Sequence, residues 1–182
     1  MLKSSVKNNI VLIGCMGAGK SLLSQRLSVR LHRPVLSTDD LIVKREGRPI
    51  TEIFARFGEP YLRAVEKGVV SDIAGKDGII IDCGGGVVLD PENLAFLKQK
   101  GIVFYLSATP EKIYQRIKDQ THRPLLNVPD PLVRLEELLA KRQTFYEQAD
   151  YIIDTNDNDW QRVAEEIEMI MSERVKNMSP DK

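Results

Sequence analysis

Apolar and polar positions fall in blocks of two lengths along this chain. Short aliphatic runs read as buried strands: Ile10 to Ile13, Pro34 to Leu36, Ile79 to Ile81, Ile102 to Leu106 and Tyr151 to Ile153. Longer segments with apolar residues three and four apart read as helices between them. The first is Lys20 to Leu31, with Leu22, Leu23 and Leu27 facing inward. Helical pattern returns at Asp40, breaks at "GRP" and restarts at Thr51, an N-cap candidate before "EIFARF". Further helices are predicted over Pro60 to Ala74, Pro91 to Lys100, a segment opening near Pro110, Pro131 to Ala149, and Trp160 to Met171. "DQTHRPLLNVPDP" carries three prolines and no period, which predicts a loop at about 118–131. Strands separated by helices predict an α/β three-layer sandwich around a five-stranded parallel sheet.

Composition narrows the picture. With 182 residues and 42% hydrophobic content, a single domain over 1–182 is expected, frayed from about 175. Lys+Arg and Asp+Glu are 26 each, so no net field favours nucleic acid or a membrane surface. Cys15 and Cys83 form neither a metal spacing nor a disulfide framework, which suits a reducing compartment. The start "MLKSSVKNNIVLIG" lacks the apolar core of a signal peptide, and no apolar run approaches the ~20 residues that span a bilayer. A cytoplasmic monomer is the expectation.

The chemistry begins at "GCMGAGKS", Gly14 to Ser21, which fits G-x-x-x-x-G-K-[ST] and lies between a predicted strand and a predicted helix. Backbone N–H groups from Gly17, Ala18, Gly19, Lys20, Ser21 and Leu22 are placed to cradle phosphates at a helix N-terminus. Lys20 should reach the β- and γ-phosphates, and the Ser21 hydroxyl should ligate Mg²⁺. The fold expected is therefore a P-loop NTPase of the nucleoside-monophosphate-kinase-like kind, with ATP as co-substrate. The short chain favours a small-molecule kinase, and "IIDTND" lacks the lysine of a guanine reader.

Several charged residues admit two readings each. Asp39 follows the second strand, where ligands gather, or it caps the helix at Asp40. Arg63 has Glu59 and Glu66 in helical reach and could be only a surface pair. Arg142 falls on the apolar stripe of Leu135, Leu138, Leu139 and Tyr146, either snorkelling or facing an anion. Arg116 and Arg123 flank the proline-rich loop, a candidate lid. "IIIDCGGGVV" discards three side chains in a row after a stiff strand, which means a tight bend or a ligand touching bare backbone.

Taken together, the phosphate loop, Asp39, "GEPYLR…E", the triple glycine, "HRPLL" and "LAKRQTFYEQAD" resemble the shikimate kinases in order and kind, over about residues 8 to 156. The resemblance implies that Asp39, Arg63, Gly84, Gly85, Gly86 and Arg142 hold shikimate, with the Gly85 N–H donating to it. It implies that Arg116 stacks on adenine and that Arg123 is the lid arginine. Lys20, Asp39 and Arg123 would then carry the catalysis. Two departures stand out: Ser37 replaces the first acid of the usual Asp-x-Asp, and Leu62 replaces the usual Phe. Ser37 keeps a catalytically impaired nucleotide-binding module open as an alternative, beside a gluconate-type kinase. Asp82 ends a strand of the shape that carries a metal-side acid, so it is a candidate Mg²⁺ group in place of the missing carboxylate, or else a turn residue bonding backbone N–H groups.

Overall fold

A computed structural model describes residues 7–119 and 128–178. Five strands, β1 (Asn9–Ile13), β2 (Val35–Ser37), β3 (Ile80–Asp82), β4 (Gly101–Ser107) and β5 (Tyr151–Asp154), form one parallel sheet in the order β2-β3-β1-β4-β5. The aliphatic run of β1 is buried on both faces, as a central parallel strand must be. Its register aligns Val11 with Ile81 and Leu12 with Asp82, while β2 aligns Ser37 with Asp82.

Among the described residues seven α-helices cover the sheet: α1 (Lys20–Leu31), α2 (Thr38–Glu46), α3 (Ile50–Ala74), α4 (Pro91–Lys100), α5 (Pro110–Ile117), α6 (Pro131–Tyr146) and α7 (Trp160–Met178). On one face Ile10, Leu12, Ile80, Phe104 and Ile153 pack against Leu23 and Leu27 of α1 and Val163 and Ile167 of α7. On the other, Val11, Ile13, Ile81, Val103 and Tyr105 meet Val70 and Ile73 of α3, Leu97 of α4 and Tyr146 of α6. These two cores are the three-layer α/β sandwich expected. Among the described residues no helix is long and apolar enough to cross a membrane.

Several local expectations are corrected. Leu22 points outward and is 42% exposed, because residues adjacent on a helix lie about 100° apart and Leu23 and Leu27 own the buried stripe. Helix α2 starts two residues earlier than expected, and Ser37 caps it by accepting from the Asp40 N–H at 3.1 Å; Asp39 lies inside the first turn. Helix α3 opens at Ile50 after Pro49, not at a Thr51 cap, although the expected break is there. Gly58 (φ 77, ψ 174) sits in a region open essentially to glycine, and Pro60 restarts the helix beyond it. Helix α6 stops at Tyr146, and α7 continues past Met171 to Met178. Arg123 and residues 120–127 of the predicted loop lie outside the described residues, as do 179–182 of the tail.

Candidate active site

The loop between β1 and α1 turns on glycines in left-handed conformations, among them Gly17 (φ 75) and Gly19 (φ 98), the latter capping α1. Lys20 is buried, and its Nζ donates to Gly14 O at 2.9 Å and Cys15 O at 3.0 Å. Burial pulls its ammonium below the usual lysine range, while the carboxylates of Asp82 and Asp39 push it back up. The loop thus has its cation in place, folded onto its own carbonyls.

Asp82 closes β3 beside β1 and is 8% exposed. Burial raises its carboxyl; the Ser21 hydroxyl, hydrogen-bonded to it, and the charge of Lys20 lower it. Two hard oxygen donors therefore sit together next to the phosphate loop. The Ser37 hydroxyl, across the register from Asp82, is occupied in capping α2.

The triple glycine is not a set of strained turns: none of Gly84, Gly85 and Gly86 has positive φ. Its reason is space. A Cβ on Gly84 would overlap Asp39 Oδ1, and one on Gly86 would overlap the Arg63 guanidinium. At Gly85 it would meet Arg142 Nη1 at 3.6 Å. Three charged side chains from α2, α3 and α6 thus close over one bare stretch of backbone. The stretch is anchored from below: the Gly84 N–H donates to Thr38 Oγ1 at 2.7 Å, and Gly85 O accepts from Tyr146 Oη at 2.7 Å and Arg142 Nη1 at 3.2 Å.

Arg63 is not an ordinary surface pair. Its Nη1 donates to Glu66 at 2.6 Å, and the Glu66 side chain is 3% exposed. Burial raises the Glu66 carboxyl, Arg63 lowers it, and Asp39 and Arg142 act on it from close by. Asp39 is also raised by burial, against the pull of Lys20. In the sequence Glu66 is only a helical neighbour of Arg63; its burial depends on packing that spacing does not reveal.

Lys20, Ser21, Asp39, Arg63, Asp82, the three glycines and Arg142 therefore converge at the C-terminal ends of β1, β2 and β3. Arg116 lies on the other flank of the loop, where its Nη1 donates to Gly17 O at 3.2 Å. Of the predicted nucleotide contacts, Leu22 offers only its backbone to the loop side, since its side chain is exposed.

A five-stranded parallel sheet with a glycine loop at the central strand, a buried lysine in it and an acid ending the neighbouring strand defines a P-loop protein of the small-molecule kinase kind. The family model for shikimate kinase matches residues 16–172. The chain is 42% identical over 159 residues to the shikimate kinase of Caldanaerobacter subterraneus subsp. tengcongensis, covering 87% of this chain and 93% of the relative. It is 44% identical over 164 residues to that of Dehalococcoides mccartyi, covering 90% and 93%. The solved shikimate kinase from Acinetobacter baumannii in complex with shikimate superposes with a TM-score of 0.86 at 34% identity, over 95% of this chain and 96% of that one. The chain belongs to the shikimate kinase family.

Proposed function

We propose that the chain transfers the γ-phosphoryl group of ATP to the 3-hydroxyl of shikimate, giving shikimate 3-phosphate and ADP. The observation that carries this reading is the closure of Asp39, Arg63 and Arg142 over Gly84, Gly85 and Gly86, beside the lysine of a phosphate loop. A hydroxylated ring carrying a carboxylate suits that surface. Arg63 and Arg142 supply planar guanidinium forks for the carboxylate, chemistry a lysine does poorly. Gly85 then presents bare backbone to the ring. Asp39, whose carboxyl is raised by burial, orients the attacking hydroxyl and accepts its proton. Lys20 and Arg123, the lid arginine implied by the family resemblance, stabilise charge on the migrating phosphoryl group. A gluconate-type substrate gives no reason for this triple glycine under two arginines. All of these groups belong to one chain, in keeping with a monomer, and an ATP-consuming reaction suits the cytoplasm.

Ser21 and Asp82 fit Mg²⁺, which takes oxygen donors and needs only one or two protein ligands beside phosphates and water. Among the described residues no three His, Cys, Asp or Glu side chains cluster as an all-protein metal cage; Ser21 and Asp82 are the protein groups that would hold the ion. When bound, Mg²⁺ would supply charge neutralisation at the phosphates.

ADP formation measured with and without shikimate tests the reaction: production should depend on shikimate, and phosphorylation of gluconate but not shikimate would overturn the reading. The metal assignment has its own test in Asp82→Asn. The Mg²⁺ concentration for half-maximal ADP binding, read by calorimetry, is expected to rise about tenfold or more, with shikimate KM little changed. Stability separates this from a turn role. Because the folded pKa of Asp82 is raised, the stability tied to this group is full below the ordinary aspartate range and lost as pH rises through the folded value. Asp82→Asn should therefore melt higher than wild type at neutral pH without Mg²⁺, the gap closing in acid. A turn role predicts a lower melting temperature and unchanged Mg²⁺ dependence. Adding Ser37→Asp, which keeps the cap of α2, should restore Mg²⁺ dependence.

A further inference from the structure

Each of Gly84, Gly85 and Gly86 carries one backbone donor and one acceptor, and the protein itself takes most of them. The Gly84 N–H donates to Thr38 Oγ1 at 2.7 Å, Gly84 O accepts from the Val87 N–H at 3.2 Å, and Gly86 O accepts from the Leu89 N–H at 3.0 Å. Gly85 O accepts from Tyr146 Oη at 2.7 Å and from Arg142 Nη1 at 3.2 Å. Among the described residues the N–H groups of Gly85 and Gly86 have no acceptor. Those are the donors left over for a ligand rich in oxygen.

The peptide joining Gly85 to Gly86 is planar and trans, so its C=O and N–H point in opposite directions. Whatever holds Gly85 O therefore aims the Gly86 N–H. No Cβ on either residue restrains that peptide from flipping, and a flip would present a carbonyl where the donor stood. Tyr146 is placed to prevent it. Its side chain is fully buried and stacks on Tyr105, with ring centroids 5.0 Å apart and planes at 16°. Burial pushes its phenol well above the usual tyrosine range, so the hydroxyl keeps its proton and donates. Arg142 also hydrogen-bonds this hydroxyl, but its guanidinium is the fork assigned to the substrate carboxylate. Once Arg142 turns to the carboxylate, the tyrosine is the anchor that stays.

We propose that Tyr146 is a positioning residue for the substrate: its hydroxyl locks the Gly85–Gly86 peptide with the carbonyl inward and the Gly86 N–H toward the bound ring. This rests on the shikimate reading above and extends it to a residue that acts through the backbone. Without the hydroxyl the flipped peptide becomes populated, and apparent affinity falls in proportion to the fraction that stays competent. Saturating shikimate draws the chain back to the competent state, so the effect belongs to KM and not to kcat.

Tyr146→Phe tests this, because it keeps the ring and its stacking and removes only the donor. KM for shikimate is expected to rise about five- to tenfold, with kcat and KM for ATP within about twofold, and calorimetry with shikimate should show the same loss in Kd. Tyr105→Phe is the control. It loses a hydroxyl from the same stacked pair, bonded to Ser107 and not to the glycines, and should leave shikimate KM unchanged. A merely structural role lowers the melting temperature of Tyr146→Phe while shikimate KM stays within about twofold of wild type, and that result would overturn the proposal. Equal rises in KM for the two variants, or a loss confined to kcat, would overturn it too. A wild-type chain that binds no shikimate would overturn the substrate reading itself, and the proposal with it.

Discussion

Lys20→Ala is expected to lower kcat for shikimate phosphorylation by a factor on the order of 10² or more, with KM for shikimate nearly unchanged. Lys20 is 8% exposed and donates to two carbonyls of its own loop, Gly14 O and Cys15 O. Binding of a triphosphate exchanges those carbonyls for phosphate oxygens, stronger acceptors for an ammonium. The gain grows as charge develops on the migrating group, so the loss should fall on kcat. Arginine is not an equivalent: the pocket between Asp82, Asp39 and the loop holds a point charge on a slim stem. Steady-state rates with both substrates varied, beside a thermal melt to verify folding, make the measurement. A kcat within tenfold of wild type would mean that the phosphoryl charge is stabilised elsewhere.

Features that depend on near neighbours were legible in the sequence, and those built from distant residues were not. "GCMGAGKS" between a strand and a helix announced the loop because all its parts lie within one turn of chain. The inner strands β3, β1 and β4 were visible as aliphatic runs because a parallel sheet buries both their faces and so needs no alternation. The triple glycine posed a question that sequence could not answer. Its cause is three side chains arriving from residues 39, 63 and 142, distances over which a pattern carries no geometry. Glu66 was hidden for the same reason: i+3 spacing shows that it meets Arg63, and only packing shows that the meeting is buried. The start of α2 slipped because Ser37, Thr38, Asp39 and Asp40 all suit a helix N-terminus. The close approach of Trp160 to Gly19, 141 residues earlier, carried no local motif either.

Arg142→Ala is expected to raise KM for shikimate by roughly 30-fold to several thousand-fold, the equivalent of about 2–5 kcal/mol for a charge-assisted pair in a closed site, while KM for ATP moves little. This variant is the cleaner of the two arginine tests. Arg142 donates to Gly85 O at 3.2 Å, but Tyr146 Oη donates to the same oxygen at 2.7 Å, so the glycine backbone keeps a partner when the guanidinium is gone. Folding should therefore survive, and the loss reads as substrate binding. Arg63→Ala behaves differently because it leaves Glu66 buried without its 2.6 Å partner. Breaking a buried pair on one side costs about 3–5 kcal/mol of stability, or else Glu66 takes up a proton. Arg63→Ala should thus both melt lower and bind shikimate poorly. Adding Glu66→Gln removes the stranded charge, so the double variant should recover the melting temperature without recovering KM. Recovery of both would show that Arg63 serves only to neutralise Glu66. A shift of less than about twofold in shikimate KM for Arg142→Ala, well under 1 kcal/mol, would mean that the carboxylate is not held by this fork.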